Sequence, residues 1–350
     1  MKLLYLGKFL NNVASGADLV NKRNQILLQA KNDVSYLPLK SGFFTHFFLG
    51  ISSEYIDVLD KELSTNQYDF VFIPQSLLGR ACKHIKKKYP GVRIIVFFHN
   101  IEVQYAREYL KTKGIRALPF YIATKFWEKQ CCLYADYCIT LNNRDSKLLQ
   151  TLYNRKADLE LPTSFDDQFD MEILTRANND KRSIPIDYLF VGVAFFANTE
   201  AVQWFINEVM PKVNGHLYVV GNGMDKFPFS NLTDRIHIHG YVDDLSVFYY
   251  RAKIVVSPIH VGGGMKTKTA EALMYGKTIL GSKEAFEGYQ MDPQCTVLCN
   301  TAEDYVREIK RRVSDTIYFN VQARNLFVAN YSTSVLRQKF NLFIETVYGK

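Results

Sequence analysis

The stretch VVSPIHVGGGMKTKTAEALMYGKTILGS, Val255 to Ser282, decides how the rest of the chain is read. Lys253 to Ser257 is apolar and β-branched, which predicts a buried strand. Gly262, Gly263 and Gly264 follow as a loop whose backbone can come close to a ligand. The pattern then predicts a helix from about Met265 to Tyr275, with Gly276 where a helix C-cap glycine belongs. A helix start presents open N–H groups and the positive end of its dipole, and Lys266 and Lys268 add charge at the same end. Thr278–Gly281 reads as the next strand. This is the layout of a site for a phosphorylated nucleotide. It is not a P-loop, which needs Gly directly before its Lys-Ser/Thr pair. Here Met265 precedes Lys266-Thr267, and the glycines are contiguous.

Glu271 lies three residues after Lys268 and seven after Gly264, so all three share one helix face. At about 1.5 Å of rise per residue it sits roughly 10 Å below the loop, the reach from a diphosphate to a ribose. A carboxylate accepts from two vicinal hydroxyls at once. The plain alternative is a surface Glu pairing with a Lys one turn earlier.

The chain has 350 residues, comfortable for two domains, and a globular composition with 47% apolar and 22% charged residues. No window approaches 18 uncharged apolar residues, so no membrane span is predicted. The opening MKLLYLGKFLNN has too short an apolar run for a signal peptide and suits a first strand, so a cytoplasmic location is expected. The six cysteines lack zinc-site spacing, and buried free thiols are expected. The acid pairs Asp166-Asp167 and Asp243-Asp244 read as linker and as turn or helix-start residues, so no metal site is expected. The net charge is +8, and Ser76 to Phe98 holds Arg80, Lys83, Lys86, Lys87, Lys88 and Arg93 with no acid. That run is either a solvated helix face or a patch drawn to anionic lipid headgroups. FFTHFFLG (Phe43 to Gly50) and ALPFYIATKFW (Ala117 to Trp127) are either core or interfacial segments. No nucleic-acid motif occurs, and no nucleic-acid partner is expected.

The first half alternates strand patterns (Lys2–Leu6, Val34–Leu37, Phe70–Ile73, Val92–Phe98, Tyr137–Leu141) with helical ones (Asp18–Ala30, Ser53–Leu63, Leu77–Lys88, Leu118–Tyr134, Asp145–Leu152). Such alternation predicts a parallel sheet covered on both faces. Thr163 to Ser183 is polar and weakly periodic and reads as a linker. Alternation restarts with strands Tyr188–Val191, Leu217–Val220, Ile236–His239, Ile254–Ser257 and Thr278–Gly281, a helix at Glu200–Met210, and a helical tail from Asp304 to Val347 that breaks near Tyr331-Ser332. The expected organisation is a first domain over 1–165, a second over 166–330 and a C-terminal helix over 331–350 packing back on the first domain. Two such domains would face each other across a ligand cleft.

Four segments then carry a family resemblance in order: YLFVGVAFFANTEAVQWF (Tyr188 to Phe205), LYVVGNG (Leu217 to Gly223), IHGYVDDLSVFY (Ile238 to Tyr249) and the GGGMKTKTAEALMYGK stretch. TILGS and EAFEGY (Glu284 to Tyr289) follow. The second half resembles the donor-binding domain of GT-B glycosyltransferases of the retaining family 4 type. The first half resembles them more loosely, through the glycine loop near Gly16 and FFHNIE (Phe97 to Glu102). The resemblance implies an α/β fold of two Rossmann-like domains. It places Glu271 on the donor ribose, and the Thr267 and Lys268 amides on the diphosphate beside Gly263, Gly264 and Met265. It places Val242 where backbone meets the nucleobase, Gly16 against the phosphate, and His99 beside the sugar. Standing alone, His99 reads equally as a structural histidine. Gly192 ends the domain's first strand; Asn198, beyond it, is either a donor contact or a helix N-cap. Two departures stand out. Gly263 occupies the position of a glutamate common in the family, eight residues before the ribose one, and the loop GVAFFAN lacks the family's Arg and Lys. Lys266 and Lys268 are therefore expected to carry the charge role.

The reaction implied is hexosyl transfer from a nucleotide-diphosphate sugar, the donor substrate, without cofactor or metal. The acceptor would be a glycan or lipid-linked chain in surface-polysaccharide or capsule biosynthesis, with peripheral contact to the membrane. Lys266, Lys268 and the helix start would stabilise the departing diphosphate. Two other readings remain open: a nucleotide-sugar 2-epimerase of the same architecture, and a non-catalytic partner subunit. A nicotinamide dehydrogenase is disfavoured, because GKFLNNVASG lacks the G-x-G-x-x-G spacing.

Overall fold

A computed structural model of the chain describes residues 1–11, 16–38, 51–179, 186–261, 264–312 and 319–349. The chain divides into two units, Met1–Thr163 with Arg337–Lys350, and Ser164–Leu336. FFTHFFLG and the end of the expected linker lie outside the described residues.

The first unit holds β1 (Lys2–Tyr5), β2 (Asp33–Tyr36), β3 (Phe70–Ile73), β4 (Arg93–Phe98), β5 (Tyr137–Thr140) and β6 (Leu159–Glu160). They form one parallel sheet in the order β2-β1-β3-β4-β5-β6. The strands FVFI and IIVFF are buried on both faces, as a sheet covered by helices requires. The covering helices are α1 (Gly16–Gln29), α2 (Ser53–Thr65), α3 (Gly79–Lys88), α4 (Glu102–Lys113), α5 (Leu118–Tyr134) and α6 (Asn143–Tyr153). In register, Ile73 lies opposite Val96, so β4 runs on through Phe97 and Phe98 and delivers His99 at the carboxyl edge.

The second unit begins with α7 (Met171–Asn179) and then alternates β7 (Ile186–Val191), α8 (Phe196–Glu208), β8 (Leu217–Val220), β9 (Ile236–His239), α9 (Ser246–Arg251), β10 (Ala252–Ser257), α10 (Thr267–Met274), β11 (Thr278–Gly281) and β12 (Thr296–Leu298). The helices α11 (Ala302–Arg311), α12 (Val321–Asn330) and α13 (Thr333–Tyr348) follow. Its parallel sheet runs β12-β11-β10-β7-β8-β9. Strand order reverses between β7 and β10, and a ligand site is expected beyond the carboxyl ends of such a pair. The loops after these two strands are GVAFFAN and the glycine loop.

The alternation expected from sequence is therefore present, in two six-stranded parallel sheets among the described residues. Several details differ. The stretch read as linker contains α7, whose start is capped by Asp170 Oδ1 accepting from the Glu172 amide at 2.7 Å. One turn of it buries Leu174 in the second unit's core, too short a run to show a period. α4, β6 and β12 were not expected. The helix predicted from Met265 begins at Thr267, with Lys266 as its N-cap.

The division between Leu336 and Arg337 falls inside α13. The end of this helix packs on the first unit: Lys31 pairs with Glu345 at 2.9 Å, Arg93 donates to the Val347 carbonyl, and Phe343 meets Tyr137 edge-on at 5.8 Å between ring centres. All six cysteines are free and buried. Among the described residues no helix is long and apolar enough to cross a membrane, and no group of three or more His, Cys, Asp or Glu is placed to hold a metal.

Candidate functional site

The start of α10 is the centre of the second unit's candidate site. Gly264 has φ of 66°, the left-handed region that glycine enters without strain. Gly262 and Gly263 lie outside the described residues. The N-cap Lys266 provides no side-chain cap, so the first-turn amides, those of Thr267 and Lys268 among them, are open for an anion. Lys266 points away from Lys268. Its ammonium lies 2.6 Å from Glu284 Oε1 and 2.9 Å from the Gly264 carbonyl, and its own carbonyl accepts from Tyr289 at 2.6 Å. EAFEGY thus braces Lys266, which already has a carboxylate partner.

Lys268 turns the other way, toward the end of β7. It is buried, its Nζ 2.8 Å from Asn198 Oδ1 and 4.3 Å from the centre of the Phe190 ring. Burial pushes its amine down to about 7, with Glu271 pulling the other way and Lys266 adding to the fall. A Cβ on Gly192 would stand 2.7 Å from this nitrogen, so only glycine leaves the ammonium its place. Gly221 is bare for a related reason: a Cβ there would meet the Gly192 carbonyl at 1.9 Å, so the ends of β7 and β8 touch backbone to backbone.

Asn198 is not a helix N-cap. Phe195 holds that position, and Asn198 is the third residue of α8. Its side chain joins two loops, Oδ1 accepting from Lys268 and Nδ2 donating to the Val193 carbonyl at 2.9 Å. Glu271 is partly buried one turn below Lys268. It does not pair with that lysine; its Oε2 accepts from the Tyr249 hydroxyl at 3.0 Å, and Tyr249 stacks on Tyr275 at 5.0 Å. Burial raises the Glu271 carboxyl, while Tyr249 and Lys268 hold it back. Val242 and Met265 are both half-buried against the same core. The fold therefore brings Gly192, Asn198, Gly264, Lys268 and Glu271 onto the carboxyl ends of β7 and β10. Asp244 is a helix-start residue as read, its Oδ1 accepting from the Ser246 amide at 2.8 Å.

In the first unit, Gly16 opens α1 and His99 follows β4. His99 is buried, its Nε2 2.9 Å from Asn21 Oδ1 and its ring edge-on to Phe97 at 5.1 Å. Asn21 Oδ1 also accepts from the Tyr5 hydroxyl at 3.2 Å, so an oxygen already receiving one donor fixes the proton on Nε2. Burial pushes the imidazole down to about 4, with the Pro74 backbone and Asp18 opposing and Arg23 adding to the fall. His99 is neutral at physiological pH.

Two buried ionisable side chains of the first unit had no sequence signal. Arg23 on α1 holds the Pro162 carbonyl at 2.5 Å and the Leu161 carbonyl at 3.5 Å. Glu128 on α5 accepts from the Glu102 and Val103 amides at 2.7 and 3.2 Å, from Ser76 Oγ at 3.0 Å and from the Tyr153 hydroxyl at 2.8 Å. It caps α4 from a neighbouring helix. Burial, with Glu128 beside it, lifts the Glu102 carboxyl to about 7.

Residues 185–315 match the family model described as glycosyl transferases group 1. The matched stretch spans β7 to α11 and so contains both loops of the candidate site. No curated protein matches the chain. Among solved structures, a glycosyltransferase from Rickettsia africae is similar at 13% identity with a TM-score of 0.64, covering 100% of this chain and 98% of that one. HepE of Anabaena (Alr3699), solved with UDP and glucose, is similar at 11% identity and a TM-score of 0.62, covering 99% of each chain. The catalytic domain of starch synthase IV from Arabidopsis thaliana, bound to ADP and acarbose, is similar at 10% identity and a TM-score of 0.64, covering 100% of this chain and 99% of that one. At these identities the likeness is one of fold: an α/β protein of two Rossmann-like units, the GT-B architecture.

Proposed function

We propose that this chain is a metal-independent glycosyltransferase. It moves a hexosyl group from a nucleotide-diphosphate sugar to a glycan or lipid-linked acceptor, with retention, in surface-polysaccharide biosynthesis. The observation that carries the reading is Lys268: a buried ammonium on Asn198 and Phe190, in the first turn of a helix whose amides are open. A buried cation with no carboxylate on it is costly unless an anion arrives. A diphosphate on the Thr267 and Lys268 amides, beside Gly264 and Gly263, supplies that anion. Glu271 then takes the ribose hydroxyls, exchanging or sharing its bond from Tyr249. Val242 faces the base, and Met265 shapes the loop.

Chemically, the barrier is cleavage of the anomeric C–O bond as negative charge grows on the leaving diphosphate. Preorganised donors aimed at that charge lower it, and here they are the helix amides and Lys268. Lys266, bonded to Glu284, acts by holding the glycine loop, and its charge is already balanced. His99, neutral and fixed on Asn21, serves as a hydrogen-bonding group at the sugar, with Gly16 near the phosphate. UDP with HepE and ADP with the starch synthase make nucleoside diphosphates the ligands to try first.

The test is a thermal-shift panel of UDP, GDP, ADP and CMP, with and without EDTA, on the wild type and Glu271→Ala. A ligand that binds the native state raises Tm by mass action. One diphosphate should shift the wild type, insensitively to EDTA, and shift Glu271→Ala much less. A folded wild type that responds to no diphosphate would overturn the reading.

A further inference from the structure

The helix α5 packs on the first unit's core through Cys131, Cys132 and Tyr121, yet its other faces are unusual. Its buried residues include Thr124, Glu128 and Gln130. Its outward side carries Leu118, Ile122, Phe126 and Leu133, with Ile122 57% and Phe126 48% exposed. Spacings of four, four and seven put these on one stripe. The exposed residues between them are Pro119, Lys125 and Lys129, with no acid. The turn before the helix continues the face with Ile115, 81% exposed, between the exposed Lys113 and Arg116. Tyr109 of α4 joins it, exposed and in contact with Phe120 at 5.8 Å between ring centres. The exposed stripe of leucine, isoleucine and phenylalanine takes no part in the core that the helix's other face packs on.

We propose that this face docks on an anionic lipid bilayer, lying in the interface with its apolar side chains among the acyl chains and its lysines at headgroup level. The chemistry fits that partner on both counts. Apolar side chains ringed by cations and free of acids are what an interfacial helix presents. Of the acids on these two helices, Glu128 is buried, Glu102 is half-buried, and Glu108, exposed, has its charge offset by Lys111 at 2.8 Å. A second copy of the chain fits poorly, because self-pairing would set Lys113, Arg116, Lys125 and Lys129 against their own counterparts. The exposed lysines can extend to the headgroups while their stems stay apolar. The proposal adds a place of work to the transferase reading and rests on it only for the lipid-linked acceptor.

Vesicle flotation tests it without any sugar donor. The vesicles are phosphatidylcholine alone and an equimolar mixture of phosphatidylcholine and phosphatidylglycerol. Wild type should float with the mixture and far less with phosphatidylcholine. Ile122→Ser with Phe126→Ser should weaken binding at least about tenfold, since several buried methylene equivalents are lost. Lys125→Glu with Lys129→Glu should weaken it about as much, and only for the anionic vesicles. Leu342→Ser, a control on an exposed leucine of α13, should bind as wild type. The nucleotide-induced rise in Tm should be unchanged in every variant, so loss of vesicle binding and failure of the donor site are read separately. The proposal falls if wild type does not float, if the α5 variants bind like wild type, or if light scattering shows a dimer that Ile122→Ser with Phe126→Ser dissociates.

Discussion

Lys268 holds a positive charge where water is nearly excluded, and that sets two opposite expectations. Its amine sits at about 7 against an ordinary 10.5. Between those values the unfolded chain keeps a proton that the folded chain releases, so at neutral pH this group works against folding. Lys268→Met should leave the Tm of the ligand-free protein unchanged or raise it by a few degrees, and should abolish the nucleotide-induced rise. A large loss of stability in scanning calorimetry would show that the lysine is structural. A bound diphosphate raises the amine again, so binding takes up a proton. Above about pH 7 the terminal phosphate of UDP is already ionised. Affinity measured by calorimetry should therefore fall from pH 7 to 9, by at most about tenfold per unit. Lys268→Arg, always charged, should flatten that slope. His99 shows the acid side of the same rule. Its folded value of about 4 lies below the ordinary 6.5, so its contribution to stability is complete above 6.5 and is lost as pH falls toward 4. That loss is about 3 kcal/mol. His99→Gln should lose less stability than wild type between pH 7 and 4.5 in urea titrations. The placement of Lys268 and Glu271 on one helix was readable because helix spacing alone puts them together. Arg23 and Glu128 were not, because α1 and α5 carry several polar residues and nothing in the sequence says which turn inward.

Helix and strand ends hold the site's residues, and they differ in how much change they tolerate. Gly221 and Gly192 are neighbours at the ends of β8 and β7, yet their substitutions should behave differently. The atom nearest an added Cβ at Gly221 is the Gly192 carbonyl, at 1.9 Å, and backbone cannot swing aside. At Gly192 it is the tip of Lys268, at 2.7 Å, which can. Gly221→Ala should lower stability by about 2 kcal/mol or more. Gly192→Ala should fold but bind nucleotide weakly, which denaturation and titration together would check. Glu128 is a cap supplied from outside its helix. Glu128→Ala strands two amides and two hydroxyls and should cost about 3 kcal/mol, with Glu128→Gln recovering part of it. The strands FVFI and LYVV were legible down to single residues, because buried parallel strands are unbroken apolar runs, while β2, β7 and β10 were shifted by one or two residues at their starts. α4 was missed because Tyr105 and Tyr109, its large rings, face outward. β6 and β12 have two and three residues, too few for any pattern.

At the scale of the molecule, the two units share a plan but not a continuity. The second is one uninterrupted segment, whereas the first needs residues 337–349 to finish it. Removing those residues uncovers the surface around Arg93 and Tyr137. A chain cut after Leu336 should show two calorimetric transitions, with only the first unit's moved to lower temperature. Equal loss in both would mean that α13 stabilises the protein as a whole. Sequence read the alternation and the family pattern readily, since both repeat over many residues. The return of α13 agrees with the expected C-terminal helix packing back on the first domain, but the contacts that make it join positions hundreds of residues apart, which no local period records.

That return also sets an order of assembly on the ribosome. The second unit can close as soon as its own segment has emerged. The first unit, though translated earlier, must wait with an unfinished surface until its last helix is made. A late frameshift would therefore injure the part of the protein synthesised first.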